Sequence, residues 1–150
     1  MNIKKILLLS VIICSSINNS FGKDYILKWF NNVKVLDHIE FQDKSKYQVV
    51  LAKGSWEDNE GNYGFLKCIG PNLISFEGKV ELEAFCEGYD NKKNYFFVKL
   101  IRKSDYDVGI GETLYLDGSG RYKSLVNKKC KYAIKYIAGN KNGFYRHICK

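Results

Sequence analysis

Proline occurs once in this chain, at Pro71, histidine twice and arginine three times, and no apolar run after the first 22 residues approaches 18. Each scarcity closes a class. One proline in a chain that is 45% apolar and 27% charged excludes a collagen-like repeat and a disordered segment. The missing apolar run excludes a membrane-spanning helix beyond the leader. No Cys-x-x-Cys pair occurs, so zinc-ligand spacing is absent. Arginine supplies three of the 24 basic side chains, and the lysines are scattered with acids between them. Nucleic-acid recognition favours arginine forks and dense basic patches, so no nucleic-acid partner is expected. The +8 charge implies a solvated basic surface or, alternatively, one attracted to an anionic envelope surface.

What is present begins with an address. Met1 to Lys5 is a short basic stretch, and Ile6 to Cys14 is apolar except for Ser10. That run is too short to span a bilayer. Ser20-Phe21-Gly22 then offers small residues where a secretory cleavage site takes them. The pattern predicts a signal peptide over residues 1–22, an exported (periplasmic or secreted) protein, and a single domain over residues 23–150. A lipoprotein signal at Cys14 competes, although Ile13 stands where such a signal takes a small residue; a retained anchor is the other alternative. Cleavage removes Lys4 and Lys5 and no acid, lowering the net charge from +8 to +6.

Export changes the cysteine arithmetic. Cys68, Cys86, Cys130 and Cys149 remain, an even count that in an oxidising compartment predicts two disulfides. Four cysteines allow three connectivities.

Period-two alternation dominates from residue 46 onward, and it predicts strands. Val80, Leu82, Ala84 and Cys86 share one face, with Lys79, Glu81, Glu83 and Phe85 on the other. Asn94 to Lys103 is largely apolar on both faces until Arg102. Cys130, Tyr132, Ile134 and Tyr136 alternate with lysines, and Tyr145, His147 and Cys149 share a side of the last segment. Residues 24–41 fit a strand or, at Tyr25 to Phe30, a short helix. Turn-prone residues punctuate the runs: Gly54, Asp58 to Gly61, Gly70-Pro71-Asn72, Glu77-Gly78, Asp90-Asn91, Gly109, Gly111, Asp117 to Gly120 and Gly139 to Gly143. Short strands at this spacing predict an all-β antiparallel barrel or sandwich. Cys68 and Cys86 flank the turn at Glu77-Gly78, and Cys130 and Cys149 flank one near Asn140. Antiparallel hairpins there bring each pair nearly opposite, so Cys68–Cys86 and Cys130–Cys149 is the preferred pairing.

Asp58-Asn59-x-x-Asn62-Tyr63-x-Phe65-x-Lys67 is echoed by Asp90-Asn91-x-x-Asn94-Tyr95-x-Phe97-x-Lys99. Neither copy has the alternating oxygen ligands and distal acid of a calcium loop, so two similar hairpin turns are expected. The search for chemistry finds no Gly-x-Ser-x-Gly elbow, no Rossmann fingerprint and no P-loop, and no cofactor or metal is expected. Asp105 and Asp107 fit solvated turn formers. His38 is expected to be exposed and His147 interior.

The stretch from Gly111 to Leu125 resembles the strand–turn signature of allene-oxide-cyclase-like and dirigent-like β-barrels, in which an apolar strand enters a Gly-Gly-Thr-Gly-Lys-Tyr/Phe turn. Asp117 and Ser119 replace the first Gly and the Thr of that turn. Uncharacterised exported bacterial proteins of this kind look similar at Cys86-Glu87-Gly88-Tyr89-Asp90, at Tyr95 to Phe97, and at Asp58 to Cys68. The resemblance covers roughly residues 46–137. It implies a closed antiparallel barrel whose interior can hold an apolar ligand, and it carries no catalytic residue onto this chain.

The expectation is therefore a small barrel of about eight strands with two disulfides, acting as a non-enzymatic module for a hydrophobic small molecule or lipid. Its candidate lining is Val80, Leu82, Ala84, Tyr132, Ile134, Tyr136, Tyr145 and His147. Barrels of that size hold one small ligand or are filled by side chains. The alternatives are an isomerase or cyclase using His147 or an interior tyrosine for acid–base work, and an envelope or protein-interaction domain with a solid core.

Overall fold

Alternation at period two puts every second side chain on one side of the sheet, and rolling that sheet up buries one set completely. The computed structural model describes residues 24–137 and 141–150 and shows this arrangement. The expected signal peptide lies outside the described residues. Eight strands among them close into one antiparallel barrel: β1 (Tyr25–Glu40), β2 (Lys46–Asp58), β3 (Tyr63–Ile74), β4 (Lys79–Asp90), β5 (Tyr95–Asp105), β6 (Val108–Gly118), β7 (Lys129–Ile137) and β8 (Asn142–Cys149). Each strand pairs with its neighbour in sequence, and β1 closes the barrel on β8 from Tyr25↔Cys149 to Asn32↔Asn142. Tyr25 to Phe30 is strand, not helix. Closure leaves no free sheet edge along the paired stretch. Beyond Asn32, β1 pairs only with β2, so its outer edge from Val33 to Glu40 has no second strand beside it, whereas β2 stays paired with β3 throughout.

Four hairpins share one turn. Phe41–Ser45, Asp58–Asn62, Ser75–Lys79 and Asp90–Asn94 each close with a bond from the first N–H to the last carbonyl, 2.8 to 2.9 Å long. In each the fourth residue has positive φ: Lys44, Gly61, Gly78 and Lys93, at 69°, 82°, 79° and 65°. That is a type I turn followed by a left-handed residue, a common hairpin connection. The echoed Asp58 and Asp90 accept the same local bonds, Asp58 from the N–H groups of Glu60 and Asn62, Asp90 from those of Lys92 and Asn94.

Several glycines that read as turns lie inside strands instead. Gly54, Gly70 and Gly111 pair within β2, β3 and β6, and Gly109 pairs within β6. At Gly54 a Cβ would fall 1.8 Å from the Phe30 carbonyl oxygen, so only glycine admits that close approach. Pro71 has no N–H to donate, and the β3–β4 ladder skips Gly70 and Pro71 before resuming in the same register at Asn72↔Leu82.

One barrel end is plugged. The chain from Gly120 to Leu125 forms a 3₁₀ helix that inserts Tyr122, fully buried, among Trp56 and Phe96 at 6.2 and 5.1 Å between ring centres. The Tyr122 hydroxyl donates to Asp90 at 3.3 Å. Burial pushes the Asp90 carboxyl up, but bonds from Asn94, the Lys92 N–H and Tyr122 outweigh it and leave it below its usual range. Above the plug the two disulfides, Cys68–Cys86 and Cys130–Cys149, bridge adjacent strands with Cα atoms 4.0 and 4.5 Å apart. Two disulfides in a small barrel indicate an oxidising, exported environment. The outward face carries cross-strand ion pairs such as Lys28–Glu57, Lys67–Glu87 and Lys103–Glu81. Exposed pairs of this kind contribute about 0–1 kcal/mol each.

Candidate functional site

The opposite end of the barrel is not filled. A cavity of about 500 Å³ opens there, between Val33, Val50 and Leu82 on its apolar side and Gln48, Asn72 and Arg102 on its polar side. Tyr106, Tyr136, Lys34 and Lys141 also line it. That volume lies within the range of small-molecule sites.

Gln48, Asn72 and Arg102 lie on one cross-strand row, which Leu82 shares. Gln48 of β2 pairs with Asn72 of β3, Asn72 with Leu82 of β4, and Leu82 with Arg102 of β5. The row continues through Gly111 of β6 to Tyr132 of β7 and His147 of β8. Gly111 makes room for this packing: a Cβ there would lie 2.4 Å from the Tyr132 ring. Arg102 follows Phe96, Val98 and Leu100 on the inward face of β5, and 2% of it is exposed. Its Nη2 donates to the Tyr106 carbonyl at 3.3 Å, and its guanidinium lies 5.7 Å from the Tyr136 ring centre. Nε and Nη1 find no partner among the described residues. Leaving a buried donor unpaired costs about 1–3 kcal/mol, more for a charged group.

The aromatic wall beside it is continuous. Tyr106 stacks on Tyr136 at 6.1 Å, the Tyr136 and Tyr145 hydroxyls are 3.2 Å apart, and Tyr145 lies 4.6 Å from Trp29. Tyr132 sits between Tyr145 and His147, at 5.8 and 5.3 Å. Burial pushes the Tyr132, Tyr136 and Tyr145 hydroxyls up, with Arg102 opposing it at Tyr132 and Tyr136. Burial holds His147 down at about 4, so its ring is neutral at pH 7. Among the described residues no group of three or more His, Cys, Asp or Glu is placed to hold a metal ion.

The eight residues expected as lining all occupy inward positions, but they divide by depth. Leu82 and Tyr136 reach the cavity; with Ala84 and Tyr145 they also surround a crevice of about 20 Å³ beneath it. Val80, Tyr132, Ile134 and His147 are buried and do not line it. Sequence reasoning missed Arg102, Gln48, Asn72 and Val50. Parity could have found Arg102, because it continues the inward set of β5. His38 is exposed, as expected, and Asp105 is an exposed partner of Lys79.

No known sequence family matches this chain, and no curated protein does. Solved structures do resemble it in fold. A protein of unknown function from Clostridium acetobutylicum ATCC 824 superposes with a TM-score of 0.69 at 14% identity, covering 83% of this chain and 97% of that one. A conserved protein of unknown function from Rhodopseudomonas palustris gives 0.65 at 9% identity, over 84% and 97%. An enzyme from Penicillium herquei gives 0.55 at 12% identity, over 83% and 90%. The chain thus shares its barrel with proteins of unknown function and with one described as an enzyme.

Proposed function

We propose that this is an exported, non-enzymatic barrel that holds a small hydrophobic molecule or lipid in its open end. The observation that carries the reading is the cavity of about 500 Å³ at the barrel end opposite Tyr122. A barrel with a solid core would be closed by side chains at both ends, as this one is at its Tyr122 end. The resemblance of residues 46–137 to allene-oxide-cyclase-like barrels supports an interior ligand as well.

The test is native mass spectrometry of the chain purified from an oxidising compartment, set against its denatured mass. A noncovalent adduct that is lost on denaturation supports the reading. A bare chain, lighter by about four hydrogens for two disulfides, that also takes up no neutral apolar dye such as Nile red overturns it. One observation favours a second reading, an isomerase or cyclase acting in the same cavity: a similar fold belongs to an enzyme. Conversion of the recovered adduct on incubation with fresh protein would separate the two.

A further inference from the structure

Arg102 is a permanent cation, since a guanidinium does not lose its proton in a protein. Of its five N–H bonds, one is given to Tyr106 and the others, on Nε, Nη1 and Nη2, go unclaimed among the described residues. The cavity wall supplies no counter-charge. Its charged lining is Lys34, Arg102 and Lys141, with no carboxylate among the lining residues; the Tyr136 hydroxyl is pushed up by burial and so stays neutral. None of the three takes part in the ion pairs between described residues. Residues 1–23 and 138–140 contain neither Asp nor Glu, so they cannot bring one. Asp105 and Asp107, which flank Tyr106, are exposed, and Asp105 is already paired with Lys79.

A buried guanidinium with free N–H groups matches a carboxylate, which it can bind through two parallel hydrogen bonds. Val33, Val50 and Leu82 line the same cavity and ask for an apolar body. Lys34 and Lys141 are exposed and would draw an anion toward the opening. We infer that the ligand is an amphiphile whose carboxylate head is bound by Arg102 and whose apolar body lies along Val33, Val50 and Leu82. This rests on the binding-barrel reading and names the ligand class for it.

Calorimetric titration of the oxidised protein with decanoate and with 1-decanol separates head from body, because the two probes share an apolar chain. Decanoate is expected to bind at least tenfold more tightly. Arg102→Gln should erase that preference while retaining decanol binding, and an unchanged far-UV spectrum would show that the variant folds. If the wild type binds both probes equally, the carboxylate inference is overturned and the binding barrel stands. If it binds neither, the inference is overturned, and Nile red uptake decides whether the barrel reading falls with it. If inorganic phosphate at equal concentration displaces decanoate, the site reads a compact oxyanion and the amphiphile is overturned.

Discussion

Thr113 Oγ1 lies 3.0 Å from Nδ1 of His147, a bond that crosses from β6 to β8 past the intervening β7. Thr113 is fully buried and His147 nearly so, and Nε2 of the ring has no partner among the described residues. The interior therefore holds a histidine that resists protonation, at about 4 rather than 6.5. Between those values the unfolded chain takes up a proton that the folded one refuses. The stability this histidine protects is intact above pH 6.5 and falls as the pH drops toward 4. Urea unfolding should lose about 2 kcal/mol between pH 7 and pH 5 from this residue. In His147→Gln that part of the slope should vanish; a slope that survives the substitution would assign it elsewhere.

The shared hairpin turn predicts two substitutions of opposite sign. Gly78 has φ of +79° and no atom within 4 Å of where a Cβ would sit, so alanine there meets only a backbone penalty. Gly78→Ala should destabilise by about 1 kcal/mol. Lys93 occupies the equivalent place with a side chain, at φ of 65°. Lys93→Gly should stabilise by about 0.5 kcal/mol, the left-handed penalty less the added freedom of the unfolded chain. Paired denaturation curves check this, and equal signs would refute it.

The disulfides predict a third result. They enclose 18 and 19 residues of separation, for which chain entropy gives about 3 kcal/mol each. Replacing either pair by alanine should lower stability by about 2–4 kcal/mol. Digestion without reduction should release Cys68 with Cys86 and Cys130 with Cys149. Crossed peptides would refute the pairing.

The barrel was legible because inward parity runs unbroken through β4, β5 and β7, and the cysteine pairing followed once two turns were placed. The glycines misled for a physical reason: in a small closed barrel glycine also serves where chains or rings press together inside strands, as at Gly54 and Gly111. The cavity was less legible. Parity puts Arg102 inside, but that no acid faces it depends on which strands meet across the interior, a relation between residues far apart in sequence. Likewise Tyr122 reads as a turn residue, and only the inserted 3₁₀ helix makes it the plug that leaves the other end open.

The order of the strands governs when the molecule can become whole. From β1 to β8 every pairing joins neighbours in the chain, and both cystines lie within such neighbouring pairs. These contacts carry short loop-closure penalties and can accumulate as the chain emerges. The seam between β1 and β8 joins Tyr25 to Cys149 and spans nearly the whole sequence. Until the last eight-residue strand arrives, β1 keeps an open edge able to recruit another chain. Pairing of β8 with β1 is thus the step that covers this edge from Tyr25 to Asn32 and closes the barrel.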